Sequence, residues 1–562
     1  MGERIGRTLK VGFNALVIDF TNRDMGFMGV AALAGAFSAW CFTIALGIYG
    51  FEAHGAVGVG IVALVRYLPA ALASPLIGPL IDRYPRRSIM LASGAASATV
   101  LIAAAAVTAL GAPTALVFVF PALYAVASCG YGPAHAALTP TLVKTPQALS
   151  ASNVTHSAMD NVGALLAALV AGFLLGPTSP AFVIAVAAAA AVLVILFLTQ
   201  VKQDRRPRYG EEEGEGVAGA FREVTLGLRT LTEHPTLLLS SFAVALLFFF
   251  EGLADVLVVV LALDLLGLGQ GSVGFLNATW GVGALVGAVA LALLLDRGRL
   301  VVAIVGGSAL IGAAAALPGI SPEPVPAYLG WLGVGIGFVF VEVAAKTLMQ
   351  RLGSDETFGR VVSSLEAMRL SALALGSIAA IALDELLGIR AALLVAAGIV
   401  PLFALFAWRR LRAYEVGAPV AEEHYRLLRD NAIFAPLPLA TLERLSHDLV
   451  GLEVPADTEV IVQGEIGDQF FLIESGQVEV IENGVFRRRE GAGESFGEIA
   501  LLHDVPRTAT VRTAVDTRLL ALGRDQFLLA VTGHRRSHQL ARAVVGERWP
   551  VEPGEGIGRI GS

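Results

Sequence analysis

Long runs of apolar residues, each broken by glycine, proline or charge, fill the first three quarters of the chain. A membrane-crossing helix needs about 20 mostly apolar residues. Twelve runs meet that length, near 26–50, 56–81, 88–109, 114–137, 152–176, 179–199, 236–263, 271–295, 300–318, 326–349, 361–386 and 389–408; they are called spans 1 to 12. The breaks carry turn chemistry, as at Gly111-Ala112-Pro113, Gly176-Pro177-Thr178 and Ser321-Pro322-Glu323-Pro324. After residue 412 the pattern changes to short strand-like runs separated by turns: 459–462, 469–473, 477–481, from Val511 onward, and 519–522. Asn483-Gly484 is a hairpin turn signal. Evenly spaced short strands predict a small barrel or jelly roll, with a helical tail over 524–546.

The divisions follow from this. A segment of 25 residues precedes a twelve-span unit, 26–412, with halves 26–199 and 236–412 around a charged loop, 200–235. A connector, 413–430, leads to a β domain at 431–549, and 550–562 is a flexible tail. Composition agrees with the pattern, since hydrophobic residues make up 55% and charged ones 15% of the 562 residues, with mean hydropathy +0.70. A soluble surface needs more polar residues than that. The net charge of −7 averages two dissimilar parts and points to no partner. Cys41 and Cys129 lie in apolar runs and form neither a disulfide framework nor a metal site.

Positive charge orients the spans. With the N-terminus on the cytoplasmic side, Arg4, Arg7, Lys10, Arg23, Arg83, Arg86, Arg87, Lys144, Lys202, Arg205, Arg351 and Arg409 all fall inside, against Arg390 alone outside. The expected location is therefore the cell (inner) membrane, with both termini cytoplasmic.

Between spans 2 and 3 runs Gly78-Pro79-Leu80-Ile81-Asp82-Arg83-Tyr84-Pro85-Arg86-Arg87. It resembles the signature loop of the major facilitator superfamily, in which Gly78, Asp82, Arg83, Arg86 and Arg87 hold the matching places. The resemblance implies a 6+6 all-α membrane fold, transport of a small molecule, and a loop that latches the outward-facing state of the carrier. Asp296-Arg297-Gly298-Arg299 is a weaker echo after span 8. Tyr131-Gly132-Pro133-Ala134-His135 through Pro140 resembles the end of span 4 in the drug and macrolide exporter branch, where an arginine usually stands at the place of His135.

Ionisable residues at membrane depth face a cavity or a partner. Arg66, Asp160, Glu251 and Asp255 are the candidates for the transport path, Glu251 and Asp255 being four apart on one helical face. Glu342 and Lys346 read as an internal ion pair, Glu366 and Arg369 as partners of the signature loop or its echo, and His135 as a loop anchor rather than a proton relay.

In the β domain, Phe496-Gly497-Glu498-Ile499-Ala500-Leu501-Leu502 and Pro506-Arg507-Thr508-Ala509-Thr510-Val511 resemble the phosphate-binding cassette of cyclic-nucleotide-binding domains. A short helix opening at Gly497 offers free N–H groups, Arg507 offers a forked cation, and Glu498 an acceptor for a ribose hydroxyl. The resemblance implies those roles and places Ala500 and Thr508 in the same pocket, with a C-terminal lid over 534–548, including Trp549 in one variant. The implied ligand is cyclic AMP, with cyclic GMP the alternative that Thr508 allows.

Together these features predict an ion-coupled exporter of a small amphipathic molecule, regulated by cytoplasmic cyclic nucleotide. The alternatives are a membrane-anchored receptor without transport, or a transporter with a non-binding scaffold. No nucleophile–base pair, metal cluster or P-loop points to an enzyme. No helix that reads DNA follows the β domain, so nucleic acid is not an expected partner. The sequence leaves the oligomeric state open.

Overall fold

The computed structural model describes residues 22–74, 77–142, 146–201, 225, 229, 231, 235–295, 300–352, 355–415, 418–437 and 439–532. The chain divides into two compact units, 1–412 and 413–562.

In the first unit eleven helices among the described residues are long and apolar enough to cross a membrane. The first of them, Arg23–Ala73, is two spans in succession. Its backbone leaves helical geometry at His54 (φ −146°) and Gly55 (φ 58°, ψ −145°), and only glycine adopts the second conformation at low cost. The twelve-span expectation and the eleven helices therefore agree. Large side chains such as Phe173, Leu402, Leu405 and Phe406 point outward, each about 70% exposed, as befits a surface solvated by lipid rather than water. Span 7 ends in a π-helical turn, Leu261–Leu265.

Lipid gives apolar helices no reason to associate, so small residues that permit close backbone approach hold them together. Gly252 lies against Leu373 and Gly376 against Phe249, knitting span 7 to span 11. Spans 5 and 8, from opposite halves, meet at Gly172, Gly271 and Gly274, where a Cβ on Gly274 would lie 2.4 Å from the Gly172 nitrogen. At the same end of the unit Phe173 meets Phe275 edge-on with centroids 5.0 Å apart, Gly60 of span 2 abuts Ile381 of span 11, and Gln270 hydrogen-bonds Glu52. This end is closed.

The signature loop sits at the other end. Its residues form a short helix, Ile77–Arg83, and the start of span 3, Arg86–Ala109. Arg87 donates from Nε to Leu198 O (3.1 Å) and from Nη2 to Thr199 O (2.8 Å). It thereby caps the last carbonyls of span 6, Pro180–Gln200, where a cation suits the helix dipole. Arg83 is exposed and Arg86 half-buried. The side chain of Asp82, the Asp296–Arg299 echo, most of loop 200–235 and the 533–562 tail lie outside the described residues.

The second unit is a two-layered antiparallel β structure. Its strands are β1 (Val450–Val454), β2 (Glu459–Ile461), β3 (Gln469–Ser475), β4 (Gln477–Glu482), β5 (Val485–Gly491), β6 (Ser495–Phe496), β7 (Thr510–Thr513) and β8 (Thr517–Gly523). One sheet has the order β1-β8-β3-β6 and the other β2-β7-β4-β5. The two-residue period of β3 divides its side chains. Phe471 and Ile473 join Val478, Val480, Phe496 and Leu519 in one core. Phe470 and Leu472 face the helices Ala418–Asp430, Leu439–Asp448 and Arg524–Thr532, where Phe470 stacks on Phe527 at 4.7 Å. The Asn483-Gly484 turn joins β4 to β5 as expected, both residues at positive φ.

Candidate functional site

Two places concentrate chemistry, one in each unit. The first is a cavity of about 1600 Å³ between the two halves of the helical unit, and Arg66, Asp160, Glu251 and Asp255 all line it. The structure thus brings together four residues from spans 2, 5 and 7. Tyr67 donates to Asp255 Oδ2 (2.6 Å), a hydrogen bond from one half to the other. Arg66 donates to Thr43 Oγ1 (2.5 Å) and lies over the Tyr67 ring at 5.3 Å. Glu251 Oε2 is buried and has no hydrogen-bond partner among the described residues. Rings from spans 7, 8 and 10 complete this wall: Phe338 lies 5.9 Å from Phe248 and 5.5 Å from Trp280.

The expected Glu342–Lys346 ion pair is present at 2.6 Å. Two other expectations meet a local arrangement. Among the described residues Glu366 and Arg369 partner each other rather than the signature loop: Arg369 binds Glu366 through Nε (2.9 Å) and Nη2 (2.6 Å) and stacks over Phe248 at 5.3 Å, while the Asp296–Arg299 echo lies outside those residues. Their three-residue spacing puts them side by side on one helix face, so the local partner wins. His135, expected as a loop anchor, is 5% exposed and stacks on His156 at 3.9 Å. His156 Nε2 in turn lies 3.5 Å from Asp160 Oδ2. Sequence reasoning passed over His156 and Tyr67. The first stands four residues before Asp160, a spacing that could have found it; the second carries no signal, since its partner is 188 positions away.

The second site is built on the turn from β6 into the helix Glu498–His503. Gly497 sits at φ 92°, ψ 0°, in the left-handed region. Loop 464–468 pairs with the segment around Arg507: Gly464 N donates to Arg507 O (2.9 Å) and Arg507 N to Glu465 O (2.8 Å). Gly464 and Gly476 have φ of 93° and 99°, fitting them as turn residues. The Arg507 guanidinium donates from Nη1 to Gly497 O (2.9 Å) and from Nη2 to Gln469 O (2.6 Å). These bonds use two of its five donors. Arg507 is 7% and Glu498 1% exposed. Burial pulls the Arg507 guanidinium below its ordinary pKa, opposed by the carboxylates of Asp468, Glu498 and Glu465. Such a buried cation, held in fixed orientation beside helical N–H groups, suits a phosphate. Ala500 and Phe496 are buried behind the turn, Phe496 stacked on Phe471 at 5.2 Å, while Ile499, Thr508 and Ala509 are half-buried. The lid expected over 534–548 lies outside the described residues.

Comparison with known proteins matches a family model in each unit. The family model of the Major Facilitator Superfamily matches residues 28–369, and that of the cyclic nucleotide-binding domain matches residues 452–532. The chain is 35% identical over 125 residues to the cAMP-dependent protein kinase regulatory subunit of Yarrowia lipolytica, covering 22% of this chain and 33% of that protein. It is 37% identical over 116 residues to the subunit of the same name from Debaryomyces hansenii, covering 20% and 26%. The chain thus spans no more than about a third of these relatives. Among solved structures, a variant of the nucleoside transporter NupG is similar with a TM-score of 0.58 and 13% identity, over 69% of this chain and 99% of that one; at that identity the likeness is one of fold.

Proposed function

Because the chain belongs to the Major Facilitator Superfamily and carries a cyclic nucleotide-binding domain, we propose that it is a secondary active transporter whose activity is set by cytoplasmic cyclic AMP. The observation that carries the reading is the cavity between the halves. It is lined by ionisable side chains from both halves, closed at the glycine end and continuous with Tyr131 and with Arg83 of the signature loop. Alternating access needs a central site between two rocking halves, and ionisable residues at membrane depth belong to such paths. In this reading Arg66, Asp160, Glu251 and Asp255 line the path, transport is ion-coupled, and the substrate is a small amphipathic molecule moved outward, as in the drug and macrolide exporter branch. The termini are cytoplasmic in the cell (inner) membrane. The signature-loop residues Gly78, Asp82, Arg83, Arg86 and Arg87 govern the change of state.

Cyclic AMP is favoured over cyclic GMP because the matched regulatory subunits are named for cAMP. Phe496, Gly497, Glu498, Ile499, Ala500, Arg507, Thr508 and Ala509 form its pocket. A ligand shifts a conformational equilibrium only by its differential affinity for the two states. The test is solute flux in proteoliposomes of the full chain, with and without cyclic AMP, and with Arg507→Ala. Flux that responds to cyclic AMP in the wild type and not in the variant supports the reading; an unchanged response in Arg507→Ala overturns the regulatory assignment.

A further inference from the structure

One end of the β unit carries an apolar tip. There the turn after β2, residues 462–466, lies beside the β4–β5 hairpin: Gln463 Nε2 donates to Asn483 Oδ1 (2.9 Å), and Asn483 N donates to Gln463 Oε1 (2.8 Å). Ile466 is 85%, Val485 57%, Phe486 53% and Val462 37% exposed. Backbone pairing holds both loops. Glu465 N donates to Val462 O (3.3 Å), and Glu465 O accepts from Arg507 N (2.8 Å); Val485 pairs with Glu482 across the hairpin. Fixed backbone thus presents four apolar side chains to the surroundings, and an apolar surface displayed in this way marks an interaction site.

The chemistry next to the tip is basic. Residues 483–489 read Asn-Gly-Val-Phe-Arg-Arg-Arg, with three cations and no acid. Arg488 is held by the buried Glu490 at 2.9 Å. Arg487 meets Glu482 at 2.9 Å and Arg489 meets Glu479 at 2.7 Å, but both arginine side chains are more than half exposed. Such surface pairs are weak and yield to a phosphate that takes the guanidinium fork. An apolar tip flanked by exposed arginines is complementary to a bilayer with anionic headgroups, which accept the cations while the acyl region takes the apolar groups. A protein partner fits less well, because a stable protein interface engages about 20–30 residues a side and the tip offers four apolar side chains. A weak contact suffices for a bilayer: span 12 and the connector 413–430 tether the unit to it, so the encounter is intramolecular. We propose that 462–466 and 483–489 form a docking tip for the anionic lipid surface in which the chain's own spans sit. This goes beyond the transporter reading and requires neither flux nor nucleotide.

The experiment uses the full chain with Cys41→Ala and Cys129→Ala, reconstituted in phosphatidylcholine vesicles with or without phosphatidylglycerol. Bimane is attached at Val485→Cys, or at Val515→Cys in the β7–β8 turn, which the β4–β7 register places at the opposite end of the sheet. Lipid with a doxyl group on its acyl chain is the quencher. The expected result is several-fold stronger quenching at 485 than at 515 in phosphatidylglycerol vesicles. Raised salt weakens it, as does Arg487→Gln combined with Arg489→Gln, and Phe486→Ser combined with Ile466→Ser abolishes it. Thermal melts in detergent that match the parent chain show the variants to be folded. Equal quenching at the two positions, quenching indifferent to phosphatidylglycerol, or undiminished quenching in the folded Phe486→Ser, Ile466→Ser chain overturns the proposal. Energy transfer between donor- and acceptor-labelled copies at 485, in place of quenching by lipid, also overturns it and makes the tip a contact between copies. Solute flux is measured separately on the same vesicles, so a failure of the transporter reading leaves this result standing.

Discussion

Replacing Gly467 by alanine adds one methyl group under the Arg507 guanidinium and alters nothing else in the nucleotide pocket. A Cβ at that position would lie 2.6 Å from both Cζ and Nε of Arg507 and 3.0 Å from Nη1. Ordinary carbon–carbon contact is about 3.5 Å, so the guanidinium must withdraw by about 0.9 Å. The backbone of Gly467 is outside the left-handed region, so alanine meets no conformational penalty there. The displacement lengthens the bonds to Gly497 O (2.9 Å) and Gln469 O (2.6 Å) past hydrogen-bonding distance. It also shifts the cation that would meet a cyclic phosphate. One misplaced charge-assisted hydrogen bond corresponds to about 1.5–3 kcal/mol, or about 10- to 150-fold in affinity. Calorimetric titration of the full-length protein with cyclic AMP measures this, with a thermal melt to confirm folding. A dissociation constant within twofold of the wild type in folded Gly467→Ala would refute the argument that guanidinium placement governs binding.

Glu498→Ala should bind cyclic AMP and its 2′-deoxy analogue alike, whereas the wild type should favour the ribose form; competition dialysis reads the ratio. Gly274→Leu should force spans 5 and 8 apart, because even a Cβ there would lie 2.4 Å from the Gly172 nitrogen. In that variant a cysteine introduced in the cavity should react with thiol reagents from the normally closed end. Hydrogen bonds from Arg489 and Arg512 hold Glu479 below the ordinary glutamate pKa. A depressed folded-state pKa stabilises above the unfolded value, and the stabilisation is lost as pH falls through the folded one. Glu479→Gln should therefore melt earlier than the wild type at neutral pH and converge with it in acid, as differential scanning fluorimetry across pH would show.

Much of this architecture is legible in the sequence because the bilayer imposes a simple rule on length and polarity. The twelve apolar runs coincide with helices, and the span 1–span 2 break needed only the local residues His54 and Gly55. In the β domain, β3 and β8 have strong apolar runs and were foreseeable. β1 and β5 were not, because β1 is a mostly exposed edge strand and β5 carries Arg487-Arg488-Arg489. Their stability comes from pairing with β8 and β4, which no local pattern displays. The sites divide in the same way. Arg507 and Glu498 stand out by local motif, and Glu251 with Asp255 by helical spacing. The Tyr67–Asp255 contact and the ring set Phe248–Phe338–Trp280 join distant parts of the chain, and only folding places them together.

The ion pairs Glu342–Lys346 and Glu366–Arg369 each lie within one helix. When one half of a carrier rocks against the other, such pairs travel as passengers and need not be broken. Among the hydrogen bonds described, Tyr67–Asp255 and Gln270–Glu52 cross from half to half, beside the packing of Gly274 on Gly172, Phe173 on Phe275 and Gly60 on Ile381. Opening the closed end therefore breaks little polar pairing and parts mainly apolar surfaces. For any ligand that prefers one of two states, a bias of about 1.4 kcal/mol is enough to change their ratio tenfold.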